Sequence, residues 1–155
     1  FRKIYDEIAP QYPDVTTGYS YVDAQALNLI RNPWEYDVMV MENMFGDILS
    51  DLAGGLVGGM GMAACAEIGD ETGLFQPAHG SAPDIAGQGI ANPYATILST
   101  ALMLRLSFGL EEEAAAIEAA VAAAVKDGVL TADLVRGAAT PVSTVQAADA
   151  VLERL

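Results

Sequence analysis

Cations are scarce in this chain and missing from its middle: 7 Lys and Arg face 21 Asp and Glu, and none falls between Asn32 and Leu104. The formal charge of −14 repels phosphate backbones and anionic membrane surfaces, which argues against nucleic acid or a membrane as partner and for divalent cations. An anionic ligand bound in the middle stretch must be held by backbone amides, by a metal, or by cations from other segments. Cys65 is the single cysteine, so no internal disulfide can form, in keeping with a reducing, cytoplasmic setting. Its small apolar neighbours in GGMGMAACA predict a buried thiol. No apolar run is long enough to span a bilayer.

What is present is a large apolar fraction, 52% of 155 residues with a mean hydropathy of +0.30. That is core enough for one domain or for parts of two. The chain opens on FRKIYDEIAPQYP, as if already inside a helix, so a piece of a longer protein is expected. Strands are expected at VTTGYSYV (15–22), YDVMVM (36–41), after the glycine-dense stretch that starts at Gly54, and at GLFQPA (73–78). Helices are expected over 1–9, from Asp23 as N-cap to Asn32, from Asn43 as cap to about Leu56, over YATILSTALMLRLSFG (94–109), over EEEAAAIEAAVAAAVK (111–126), and from Ser143 to Leu155. Helices alternating with strands imply an α/β fold with at least partly parallel pairing. The glycine zone Gly54–Gly61 is the natural boundary.

In ENMFGDILSDLAGG, Asp47 and Asp51 share one helix face at i and i+4, where two solvated carboxylates repel by only about 0.2–0.5 kcal/mol. A wet helix face therefore explains the spacing as well as a metal site does. The metal reading gains from Phe45, Ile48, Leu49 and Leu52, expected to bury the other faces, and from Asp23 as a third acid. Such hard oxygen donors suit Mg²⁺ or Mn²⁺.

GMGMAA (59–64) has the letters of a dinucleotide fingerprint but follows a helix and leads into none, so close packing or a hinge explains its glycines better. His79, Ser81 and Asp84 lie too close together along one loop to converge as a hydrolase triad. The loop HGSAPDIAGQGIANP is long and irregular, as functional loops are. Gly80, Ser81 and Ala82 let a nucleotide approach the backbone, Asp84 offers a carboxylate to ribose hydroxyls, and Asn92 can read a base edge. An acid at the ribose also repels a 2′-phosphate and so favours NAD. An ordinary glycine- and proline-rich connection remains the alternative, and His79 can serve simply to satisfy backbone groups.

Together, YVDA, ENMFGDILSDLAGG and HGSAPDIAGQGIANP resemble the isopropylmalate/isocitrate dehydrogenase family of metal-dependent decarboxylating dehydrogenases, in order and over nearly the whole chain. The resemblance implies that fold, with 1–57 part of a dimer-forming substrate domain and 58–155 part of a cofactor domain. It implies that Asp47 and Asp51 bind Mg²⁺ or Mn²⁺, with Asp23 completing the site from the other subunit of a homodimer. It implies that His79, Gly80, Ser81, Ala82, Pro83, Asp84, Ile85, Ala91 and Asn92 hold NAD, Ile85 lying against the adenine. The implied reaction is oxidation and decarboxylation of a 2-hydroxy acid, a 3-alkyl-malate of leucine biosynthesis first, tartrate, D-malate or homoisocitrate as alternatives. Gln76 stands where the family has a glutamate, which leaves the substrate subgroup open. The family's substrate arginines and its catalytic tyrosine and lysine fall upstream of Phe1, so no catalytic residue is expected here. The 155 residues alone are expected to be inactive, or to act only in structure and oligomerisation.

Overall fold

A computed structural model describes residues 1–137 and 139–155, and they fall into two compact units, Phe1–Ala53 and Gly54–Leu155. Helix and strand are mixed, as the α/β reading has it, but both strands lie in the second unit.

The first unit holds α1 (Arg2–Ile8), α2 (Val22–Arg31) and most of α3 (Asn43–Leu56). Pro10 sits in a 3-10 turn that ends the first helix, and Pro33 opens another after α2. The cap of α2 is Tyr21 and not Asp23, which lies in the first turn. Neither 15–22 nor 36–41 is a strand. A strand exists only where a neighbour completes its ladder, and neither segment finds one. In the first, Gly18 weakens the run, and Tyr19 instead packs on Tyr5, with the Arg2 guanidinium 4.2 Å from its ring centroid. In the second, Val38 and Val40 stay exposed.

The second unit begins where α3 ends in a Schellman turn: Gly59 N donates to Gly54 O at 2.9 Å and Gly58, at φ +116°, donates to Gly55 O. Next come β1 (Ala64–Ile68) and β2 (Gly73–Pro77), antiparallel with Ala64 opposite Pro77 and Ile68 opposite Gly73. At least partly parallel pairing was expected of the fold; this pair is antiparallel because a connection as short as Gly69–Thr72 can join only antiparallel strands. Cys65, on β1, is only partly buried, not fully as its neighbours suggested.

Against the hairpin packs α4 (Tyr94–Phe108), then α5 (Glu111–Lys126), and against α5 packs α6 (Thr144–Leu152). The core is Tyr94, Ala120, Val121, Ala124, Ala147 and Val151, flanked by Met62, Ile97 and Leu134 among others. Alanines line α5 because they let helices approach closely at little entropic cost. α4 is apolar all round in sequence yet buried on one side only, with Leu106 and Phe108 exposed. At the start of α6, Ser143 accepts from Gln146 N and the Gln146 side chain accepts from Ser143 N, a capping box.

Candidate functional site

α3 presents the paired acids. Asp47 and Asp51 are both exposed, one turn apart, while Leu49 between them is buried. The burial expected of Phe45 and Ile48 is not found, since they are exposed at 36% and 54%; Leu49 is buried and Leu52 half-buried. Asn43 is the first residue of α3. It donates from Nδ2 to Asp47 Oδ2 at 3.3 Å, which orients one carboxylate and leaves the rest of its acceptor capacity open. Asp23 is exposed on α2, its Oδ1 accepting from Ala24 N at 2.8 Å. Among the described residues no three His, Cys, Asp or Glu side chains of one chain cluster as a metal site. The donor chemistry still fits a hard divalent ion, because the α3 pair supplies oxygen ligands only, with no competing Lys or Arg nearby in sequence.

The second group of candidates lies on the loop between β2 and α4. His79 Nδ1 lies 2.9 Å from Gly80 O. A carbonyl can only accept, so Nδ1 is the donor. This is the backbone-satisfying role that the sequence also allowed. Ala82 adopts φ +41°, ψ 62°, the left-handed region, which costs an L-residue about 1–2 kcal/mol. It turns the chain into the short 3-10 turn Pro83–Ile85, where Asp84 is exposed and its carbonyl accepts from Gln88 Nε2 at 2.8 Å. Strain of this kind collects at binding loops.

The far end of the loop is pinned from a distant part of the chain. Thr144 N donates to Gly89 O at 2.9 Å, and Thr144 Oγ1 donates to Ala91 O. Asn92 Oδ1 accepts from Tyr94 N at 2.9 Å, and Asn92 Nδ2 donates to Asp133 Oδ2 at 3.0 Å. Asn92 thus shares its carboxamide between the start of α4 and the α5–α6 connection, beyond the base-reading expected of it. Neither Thr144 nor Asp133 was singled out in the sequence, because contacts across 53 and 41 residues leave no local pattern. The glycines of GMGMAA do pack closely: a Cβ at Gly61 would come within 2.7 Å of Asn92 Nδ2. No helix follows that motif. It forms a 3-10 turn, Met60–Met62, leading into β1.

Gln76 lies on β2 and donates from Nε2 to Glu67 Oε1, 3.0 Å away on β1. Arg105, the first cation after the bare stretch, turns to Glu118 and Glu111 and so is committed to joining α4 and α5.

A family model described as isocitrate/isopropylmalate dehydrogenase matches residues 1–151. Over 155 residues the chain is 52% identical to 3-isopropylmalate dehydrogenase of Desulfitobacterium hafniense (strain Y51), covering 100% of itself and 44% of that protein. It is 52% identical over 156 residues to 3-isopropylmalate dehydrogenase of Heyndrickxia coagulans, covering 100% of itself and 43% of the relative. Among solved structures, isocitrate dehydrogenase from Methylococcus capsulatus superposes with a TM-score of 0.88 at 46% identity, over 99% of this chain and 44% of the other. A beta-decarboxylating dehydrogenase from Thermococcus kodakarensis superposes with a TM-score of 0.80 at 42% identity, over 99% and 44%. The chain spans less than half the length of the curated relatives it matches.

Proposed function

The chain belongs to the isocitrate/isopropylmalate dehydrogenase family, and from that premise we propose that the protein containing it is an NAD- and Mg²⁺- or Mn²⁺-dependent oxidative decarboxylase of 3-isopropylmalate. The observation that carries the proposal is the exposed pair Asp47 and Asp51 on one face of α3. The names of the relatives support the substrate. Leucine biosynthesis in the cytoplasm is the corresponding setting. Among the described residues no helix is long and apolar enough to cross a membrane.

In this reading Asp47 and Asp51 offer hard oxygens to the ion, the former steadied by Asn43, and Asp23 of the partner subunit completes the set in a homodimer. A divalent ion held by these carboxylates would supply Lewis acidity toward the 2-hydroxy acid. Along the loop His79–Asn92, the small residues Gly80, Ser81 and Ala82 admit the dinucleotide to the backbone, and Pro83 sets the turn that presents Asp84 to the ribose. Ile85 gives the adenine an apolar face, and Ala91 and Asn92 close the site. Residues 1–57 are assigned to the dimer-forming substrate domain and 58–155 to the cofactor domain. Proton transfer and the grip on the substrate's carboxylates fall to groups outside these 155 residues, which alone should not reduce NAD.

Gln76 favours one second reading. A neutral amide tied to Glu67, where the family carries an acid, could suit a different substituent on the 2-hydroxy acid, as in tartrate, D-malate or homoisocitrate.

The test is NAD reduction by the full-length enzyme, run with each of these acids against a titration of Mn²⁺. The proposal expects 3-isopropylmalate to be the preferred substrate and Asp47→Asn to raise the Mn²⁺ concentration for half activity at least tenfold. Full activity after exhaustive chelation, or an Asp47→Asn enzyme with an unchanged Mn²⁺ titration, would reject the metal assignment. A preference for another acid would select the second reading.

A further inference from the structure

We propose that Asp133 is a positioning residue for the cofactor: by fixing the carboxamide of Asn92 in one orientation, it selects adenine as the base. The inference rests on the reading of His79–Asn92 as the NAD loop.

Asp133 Oδ2 accepts from Asn92 Nδ2 at 3.0 Å, and Asn92 Oδ1 accepts from Tyr94 N at 2.9 Å. A carboxylate can only accept and a backbone N–H can only donate, so the two contacts demand the same rotamer of the amide. Turning it over would set N–H against N–H and oxygen against a charged oxygen. The carboxylate is itself held, because Asp133 Oδ1 accepts from Thr131 Oγ1 at 2.6 Å and Thr131 is fully buried. Gly61 closes the third side. A Cβ there would lie 2.6 Å from Asp133 Oδ2, 2.7 Å from Asn92 Nδ2 and 2.9 Å from Asn92 Cβ, so only glycine lets the pair sit where it does.

A carboxamide has two N–H donors and two acceptor lone pairs. One of each is used by Asp133 and Tyr94; Nδ2 otherwise meets only a weak acceptor, the Met62 thioether at 3.8 Å, so one N–H and one lone pair of Oδ1 are what the fixed amide offers a base. Asparagine reads adenine in this way, accepting from the 6-amino group and donating to a ring nitrogen. In hypoxanthine the 6-position is an oxo acceptor, so the pattern no longer matches. Tyr94 N alone could hold Oδ1 in place only weakly, since the unpinned Nδ2 would leave the side chain free to turn about χ2. The charge of Asp133 penalises the wrong orientation.

The experiment compares NAD with its hypoxanthine analogue in steady-state kinetics of the full-length enzyme. In the unaltered enzyme the analogue should show the higher KM. Asp133→Ala should reduce the KM ratio about tenfold, the scale of one bidentate base contact, by raising the KM for NAD while leaving kcat at saturation nearly unchanged. Asp133→Asn keeps an acceptor oxygen for Asn92 and should restore most of the ratio. If Asn92→Ala abolishes the discrimination but Asp133→Ala leaves it intact, the positioning role is overturned and the loop assignment stands. If Asn92→Ala also leaves it intact, the loop does not read the base, and both ideas fall. Should Asp133→Ala not fold, Thr131→Val releases only the other oxygen of the same carboxylate. It must then lower the ratio in the same direction, and an unchanged ratio overturns the proposal.

Discussion

Thr144 Oγ1 donates to the carbonyl oxygen of Ala91 at 2.5 Å, tying the first residue of α6 to the end of a loop 53 positions earlier. Its backbone N–H holds Gly89 O at the same time. A helix start thus fixes the geometry of the candidate NAD loop. Thr144→Val keeps the shape and the backbone bond but removes the hydroxyl. We expect a loss of about 1 kcal/mol in stability and a several-fold rise in the KM for NAD, with kcat changed little. Paired melting curves and NAD titrations of the full-length enzyme decide it. A stability loss with an unmoved KM would make Thr144 a purely structural tie.

Much of the helical part of this fold was legible in the sequence, and the reasons are local. α5 announces itself through Glu111–Glu113 in its first turn, Lys126 in its last and Gly128 beyond, where φ is +83°. The Ser-x-x-Gln signature at 143–146 is likewise a pattern within one turn. The strands at 15–22 and 36–41 failed because β-propensity describes fitness for a sheet and supplies no sheet. In the candidate site, residue type and spacing left both the acids and the loop open, and it was the resemblance to a family that singled them out. Asp133, Thr144 and the need for glycine at 61 could not be read, since each acts through residues far away in sequence.

Tyr94 is the largest side chain sealed in the core, and its hydroxyl donates to Val129 O at 2.7 Å. Tyr94→Phe leaves that carbonyl without its partner, and we expect a cost of about 1–3 kcal/mol, read as a lower Tm. Burial raises the phenol's pKa above its ordinary 10.0, against a smaller lowering by Arg154. A folded-state pKa above the unfolded one contributes stability that is present below the ordinary value and lost as pH rises through the raised one. The alkaline fall in Tm above about pH 10 should therefore be shallower in Tyr94→Phe than in the unaltered protein. Equal alkaline slopes would remove Tyr94 from that account.

Arg105 grips both oxygens of Glu118, Nη1 at 2.5 Å and Nη2 at 2.9 Å, and reaches Glu111 through Nε at 2.7 Å. These hydrogen bonds hold both carboxyls below the ordinary value of 4.5 and raise the pKa of Arg105 further still. Depressed carboxyls stabilise the fold above their unfolded pKa, and that contribution is lost as pH falls through the lower folded values. Arg105→Gln should thus lower Tm at neutral pH by a modest amount, because the Glu side chains are 66% and 40% exposed and solvent screens them. The difference should shrink as the pH drops below 4.5. Tm measured from pH 3 to pH 7 for both proteins tests the convergence. A constant gap across that range would mean that Arg105 acts through packing alone.

Asp84 stands in a 3-10 turn that the left-handed Ala82 introduces, in a stretch without a single Lys or Arg from 32 to 104. A carboxylate facing a ribose accepts from its hydroxyls and repels a phosphate in their place, so charge at this position should decide between NAD and NADP. Asp84→Asn removes the repulsion without adding attraction, and Asp84→Lys does both. The ratio of kcat/KM for NADP over NAD should rise in that order, by about tenfold for the first step, the scale of one lost charge contact. The order matters more than either value. An increase confined to the lysine variant would reflect a new cation acting on its own, and no change in either would remove Asp84 from the ribose.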